Sequence, residues 1–93
     1  MNKKDLVEKV ALMTHHTKKD TGEIVDSFLA AIEETLADGD RVQLVGFGCF
    51  ECRERSERMA RNPHTKERIK ISATTVPVFR AGKEFKAMVD KHS

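Results

Sequence analysis

Tryptophan and tyrosine are missing from this sequence, and five phenylalanines are its whole stock of large aromatic rings. Aromatic side chains supply much of the area that a core buries, so a 93-residue chain of this make-up has a modest one. Oligomerisation is expected, because a second copy adds buried area that one copy lacks. No long apolar run occurs, which excludes a membrane-spanning helix and leaves no membrane partner to expect. The opening MNKKDLVEKV lacks the apolar centre of a signal peptide, and the expected location is the cytoplasm.

Chemistry-bearing constellations are equally scarce. No nucleophile–base pair stands out, and Gly46 and Gly48 form G-x-G with no third glycine and no helix after them, so a dinucleotide fingerprint fails. Cys49 and Cys52 have the spacing of a redox or zinc pair. On a strand, however, residues three apart face opposite sides, and no second pair exists to complete a metal site. Two reduced cysteines are the ordinary reading; a small oligomerisation or redox-metal module is the alternative it competes with. His15 and His16 fall in an expected turn and take a surface role by default. No catalytic residue, metal ligand or cofactor is expected, and the chain reads as a non-enzyme.

What the chain does have is charge, unevenly placed. The net value is only +2. Residues 1–38 hold 5 basic and 8 acidic side chains, residues 53–70 hold 7 and 3, and residues 77–93 hold 4 and 2. A basic excess confined to the second half points towards a polyanion.

Periodicity supplies the elements. Asn2 and Asp5 form a capping box ahead of Leu6, Val7, Val10, Ala11 and Met13 at helical spacing. Thr17 and Asp20 start a second helix, whose Ile24, Val25, Phe28, Leu29, Ile32 and Leu36 make one broad face until Gly39 closes it. Period two follows: Val42 with Leu44, a turn at Gly46-Phe47-Gly48, Phe50 with Cys52, then Ile69 with Ile71 and the run TTVPVF. A short helix from Gly82 to Lys91 carries Phe85, Met88 and Val89 on one side. The order is helix, helix, three strands, helix.

Between Phe50 and Val76 the alternation continues, but neither face is apolar enough to pack on a core. A solvated loop is one reading of such a charged run; a two-stranded arm completed by a partner is the other. Arg53 and Arg55 share one face while Glu54 points away, so one edge of the ribbon is positive and suits a groove lined by phosphates. Asn62-Pro63 marks the tip, since proline fits turns far better than central strands. An apolar ring at the end of a cationic ribbon is suited to wedging between base pairs.

The stretch VQLVGFGCFECRERSERMARNPHT resembles the signature region of the HU and integration host factor family of bacterial histone-like, DNA-bending proteins. The likeness extends over essentially the whole chain, from MNKKDLVEKV through ADGDRVQLVGFG to VPVFRAGKEFKAMV. It implies an α+β fold: an N-terminal helical hairpin, a three-stranded antiparallel sheet with a long protruding β-ribbon arm, and a short C-terminal helix, in an intertwined dimer. Residues 1–93 would be one DNA-bending domain: a helical dimerisation base at 1–40, a sheet at 41–79 with the arm at about 53–76, and a C-terminal helical segment at 80–93.

Carried over residue by residue, the resemblance makes Pro63 the intercalating wedge, with Arg61 and Asn62 in the minor groove beside it. Arg53, Arg55 and Arg58 would line the arm, and Lys3, Lys83 and Lys86 would meet phosphates on the body. His64, Lys66, Arg68 and Lys70 complete the expected DNA-binding set. Gly82-Lys83 also opens a helix whose free amides suit a phosphate. Phe28, Leu29, Ile32, Leu36, Leu44, Phe47, Phe50 and Phe79 are the expected dimer core, and Gly46, Gly48 and Gly82 shape the backbone. Two positions depart from the pattern: Ala60 and Lys66 stand where many members have glycine. The implied partners are double-stranded DNA, with bent, nicked or distorted forms preferred, and a second subunit, either identical or a paralogue. The implied role is non-specific bending and compaction of nucleoid DNA; a sequence-preferring bender like integration host factor is the alternative.

Overall fold

The computed structural model describes residues 1–91 as two compact units that divide near the end of the second helix: residues 1–35, and those from Leu36 onward. The last two residues of the expected 80–93 segment lie outside the described residues. Helix α1 spans Lys3–Thr14 and α2 spans Lys18–Ala37. The Asn2 side chain accepts from the Asp5 amide at 2.9 Å, and the Asp5 carboxylate accepts from the Asn2 amide at 3.3 Å, so the box closes from both sides. His15 ends α1 at φ 58°, a left-handed cap more often filled by glycine or asparagine. Thr17 Oγ1 then accepts from the Asp20 amide at 3.1 Å and caps α2.

Within the first unit the two helices run back on each other. A Cβ at Gly22 would meet Val7 Cγ1 at 3.8 Å, an ordinary packing distance, and Ala11 and Thr21 are buried, one on each helix. Lys3 pairs with Asp26 at one end of the hairpin, and Lys18 with Glu8 at 3.7 Å towards the other.

The second unit holds the sheet. Its strands are β1 (Val42–Leu44), β2 (Gly48–Arg55), β3 (Arg58–Arg61), β4 (Arg68–Ile71) and β5 (Thr74–Ala81), followed by helix α3 (Lys83–Lys91). Strands β1, β2 and β5 form an antiparallel sheet in that order, while β3 and β4 pair only with each other. The three strands expected from the sequence are therefore present, with the arm broken out as a ladder of its own. The break falls at Ser56-Glu57 and, opposite, at Ser72-Ala73. Arg55 pairs with Thr74 before it and Arg58 with Ile71 after it, two residues skipped on each side, so the ladder is interrupted while the register is kept, without a bulge. The sheet also runs two residues past the expected boundary at 79, because Arg80 pairs with Cys49 and Ala81 with Gly48.

The core of this unit is an aromatic cluster. Phe79 lies 4.8 Å from Phe50, 5.2 Å from Phe47 and 6.2 Å from Phe85, ring centre to ring centre, and Phe47 stacks on Phe85 at 5.1 Å. Gly46 turns the chain at φ 83°. Gly48 is needed for space: a Cβ there would stand 2.6 Å from both the Arg80 carbonyl oxygen and the Phe79 ring. At the other edge of the core the Cys52 thiol donates to the Leu36 carbonyl at 3.1 Å, which the Gly39 amide also reaches at 2.9 Å, closing the end of α2.

Gly48→Ala is expected to lower stability by about 1–3 kcal/mol, the usual cost of overpacking. Thermal unfolding of the variant beside the parent protein measures it, and an unchanged midpoint would mean that the Phe79 ring and the β5 backbone at Arg80 both give way freely.

Candidate nucleic-acid interface

Register decides which side chains share a face. In β2 and β5 the pairs Phe50–Phe79 and Cys52–Pro77 lie on one side, with the aromatic cluster. Cys49–Arg80, Glu51–Val78, Arg53–Val76 and Arg55–Thr74 lie on the other. Arg53 and Arg55 therefore share the face away from the core, and both are exposed, as their spacing predicts. Cys49 and Cys52 fall on opposite faces, with Cα atoms about 10 Å apart at strand rise, beyond the reach of a disulfide. Both are free thiols.

The distal ribbon has two unlike faces. Met59–Lys70 and Arg61–Arg68 make one, with three cations; Arg58–Ile71 and Ala60–Ile69 make the other, with one. Arg58 thus sits across the ribbon from Arg61, Arg68 and Lys70, although all belong to the expected set. The second face is more apolar than the sequence reading allowed, since Ala60, Ile69 and Ile71 stand together on it. Lys70 reaches Glu57 at 3.5 Å, an ion pair that crosses the ladder break. Ala60 occupies a regular strand position, so the glycine many family members have there is not required by this backbone.

The tip is a turn that satisfies itself. The Asn62 amide donates to the Glu67 carbonyl at 2.8 Å, and the Lys66 amide to the Asn62 carbonyl at 2.7 Å. The Asn62 side-chain oxygen accepts from the amides of His64 at 2.8 Å and Thr65 at 3.4 Å, an Asx turn. Pro63, which has no amide hydrogen to place, stands exposed at the second position of this turn, and His64 is exposed beside it. Lys66 carries the geometric burden with φ 62°, the left-handed region that costs a side-chain-bearing residue about 1–2 kcal/mol.

Elsewhere the expected cations are exposed. Lys3 is engaged with Asp26 in the helical unit. Lys83 and Lys86 lie in the first turns of α3, where the Gly82 amide is already committed to the Phe47 carbonyl at 2.8 Å. Glu84 shares that first turn, and its carboxylate lies 3.2 Å from where a Cβ on Gly46 would stand. Two residues stood outside the expected core and DNA-binding sets, although Phe85 was read as part of the apolar side of the last helix. Phe85 completes the aromatic cluster, and Arg80 shares the outward face of Arg53 and Arg55. Strict alternation through VPVFR, with Phe79 inward, was the signal for Arg80.

Residues 1–90 match the family described as bacterial DNA-binding protein. The chain belongs to that family. It is 54% identical over 91 residues to the DNA-binding protein HU of Clostridium pasteurianum, covering 98% of this chain and 100% of that one. It is 56% identical over 88 residues to the DNA-binding protein HU of Streptococcus thermophilus, covering 95% and 97%. Among solved structures, Anabaena HU cocrystallised with DNA superposes with a TM-score of 0.92 at 48% identity, covering 96% of this chain and 97% of that one. HU from Thermotoga maritima gives 0.68 at 36% identity over 96% and 98%. The helical hairpin, antiparallel sheet, ribbon and C-terminal helix are thus the HU fold.

The left-handed Lys66 is a conformation that suits glycine, as the resemblance implied for this position, and it makes a prediction. Lys66→Gly, and Lys66→Asn as a substitution without glycine's added backbone freedom, should stabilise the turn by about 0.5–1 kcal/mol. Amide exchange at Asn62 and Lys66 should slow about two- to five-fold, because local opening sets their protection. Faster exchange in both variants would show that φ 62° carries no strain.

Proposed function

We propose that this chain is a histone-like architectural protein that binds double-stranded DNA through the minor groove with little sequence specificity, bends it and compacts it. The observation that carries the proposal is the exposed cationic ribbon, whose strands among the described residues pair only with each other, and which ends in the closed Asn62-Pro63 turn. In this reading Arg53 and Arg55 approach the backbone from the root of the arm. Arg61, Arg68 and Lys70 do so from one face of the distal ribbon and Arg58 from the other, with Lys66 and His64 near the tip. Pro63 is the wedge, flanked by Arg61 and Asn62. Lys3, Lys83 and Lys86 add phosphate contacts, Lys3 by exchanging Asp26 for a phosphate, which costs little because an exposed ion pair is worth at most about 1 kcal/mol. Non-specific binding is preferred to a sequence-preferring mode because the most similar relatives named above are HU proteins. The protein works as a DNA-binding factor in the cytoplasm, on the nucleoid, with no chemistry of its own.

The working unit is a dimer, identical subunits being the simplest form. Phe28, Leu29, Phe47 and Phe79 are 52%, 40%, 45% and 39% exposed, and among the expected core residues only Ile32 is buried. Leu36, Leu44 and Phe50 are half-buried. Apolar surface on this scale is what a second subunit covers. The unfolding midpoint should therefore rise with protein concentration. A fully folded monomer in sedimentation equilibrium at micromolar concentration would overturn the dimer.

The wedge has a direct test. Unstacking one base step costs roughly a few kcal/mol, offset by the extra surface that bent DNA brings into contact. Pro63→Ala keeps every cation, so it should reduce bending of intact duplex more than it reduces affinity, and the loss should shrink on nicked duplex. Energy transfer between dyes at the duplex ends reports the bend. Equal bending by variant and parent at saturation would leave the arm as a cationic clamp alone.

A further inference from the structure

Between α1 and α2 runs an open groove of about 600 Å³ whose walls belong wholly to the helical hairpin. Three contacts across it set its plan. Lys3 pairs with Asp26 at one end, Lys18 with Glu8 at the other, and Val7 meets Gly22 between them. Lys4 and Lys19 complete the walls, and neither has an acidic partner among the described residues. Lysine stems are apolar up to the ammonium, so the groove has an apolar floor under a cationic rim. Phe28 and Leu29, which the dimer reading assigns to the second subunit, take no part in it.

Gly22 is the residue that needs a reason. It lies inside a 20-residue helix, where glycine is the poorest helix former after proline. Its backbone is ordinary helix with no positive φ to satisfy. A methyl group would also fit, since a Cβ there would stand 3.8 Å from Val7 Cγ1. Neither conformation nor packing within the hairpin calls for glycine. What the missing side chain does is leave the floor of the groove bare.

We infer that this groove is a docking site for an acidic segment of another protein, which seats an apolar side chain on the floor at Val7 and Gly22 and sets carboxylates against Lys4 and Lys19. The inference goes beyond the DNA-binding reading and uses no residue of the arm. The walls favour a peptide over DNA. A phosphate backbone laid along the groove would pass Asp26 at one end and Glu8 at the other, and it gains nothing from an apolar floor. A peptide matches the plan on the right scale, with carboxylates for the unpaired lysines and an apolar anchor between them. Grooves that bind amphipathic segments work in this way, through a few apolar anchors and a charged rim.

Fluorescence anisotropy on the full chain tests this, with a labelled short peptide of aspartates around one leucine as the probe. One control peptide has serine for the leucine, and another has asparagine for the aspartates. Each control should bind about five-fold more weakly or worse, because floor and rim both contribute. Lys4→Gln together with Lys19→Gln should weaken the probe about three- to ten-fold. Gly22→Leu fills the floor and should weaken it about ten-fold or more, and the milder Gly22→Ala about two-fold. Gly22→Ala should also raise the thermal midpoint, since the helix gains a better former. Lys4 and Lys19 stand outside the expected DNA-binding set, so their double variant should bind random-sequence duplex with the parent's log–log salt slope. A slope flattened by about two units would assign the groove to DNA instead. That result, no binding of the aspartate–leucine probe by the parent, equal binding of the three peptides, full affinity in the Gly22 variants, or a lower midpoint in Gly22→Ala would each overturn the inference.

Discussion

Where the backbone at Gly48 passes the ring of Phe79, a single added methyl group would stand 2.6 Å from ring and carbonyl alike. The arm inherits its orientation from that contact. Phe79 can seat against Phe47, Phe50 and Phe85 only while β2 and β5 keep the register that sets Gly48 opposite Ala81. Because side chains on a strand alternate, a slip of one residue would carry Arg53 and Arg55 to the aromatic side and bring Phe50 out to water. The register then persists across the break at Ser56-Glu57 and Ser72-Ala73, with equal numbers of residues skipped on each strand. The direction of the cations and the location of the tip therefore both follow from how β5 packs on β2.

The same economy explains why the chain is incomplete alone. Among the described residues no large side chain is almost wholly removed from water, and ordering each residue costs about 1–2 kcal/mol of backbone entropy. A segment as long as 53–76 adds to that cost and contributes little apolar burial in return. The shortage is met in two places under the proposed reading: a second subunit covers Phe28, Leu29 and the aromatic cluster, and DNA supplies the charged partner that the ribbon lacks. Fold and function are coupled through what the chain leaves unburied.

Much of this was legible in the sequence because it depends on short-range signals. The caps at Asn2 and Thr17, the close at Gly39, the turn at Gly46-Phe47-Gly48 and the tip at Asn62-Pro63 are each set by residues within a few positions, and each stands where those residues place it. Family likeness supplied the rest of the architecture. What stayed hidden needed partners distant in the chain. Phe85 looked like one of three apolar residues on a short helix until Phe47 and Phe79 were found beside it. The division of the distal ribbon into a cationic and an apolar face needed the pairing of β3 with β4, since Arg58 and Arg61 look equivalent in a list of arginines. The candidate arm residues were legible as exposed cations; a contact that any of them would make with DNA was not, because the partner atoms would belong to another molecule.

The make-up of the arm also bears on what it can read. Phosphate contacts position a protein but carry no sequence information; base edges and deformability do. The candidate footprint is almost wholly arginine and lysine, and the other polar side chains in it able to read a base edge are Asn62 and His64 at the tip. Asn62 already spends its side-chain oxygen on the amides of His64 and Thr65, which leaves its amide nitrogen as the free donor. In a minor groove whose donor and acceptor pattern is degenerate, a lone donor of this kind discriminates weakly. Any preference of such a protein would come from the cost of opening a step beside Pro63, so it would favour DNA that is already nicked, flexible or bent. The hydrogen bonds that close the tip thus leave it little with which to read sequence.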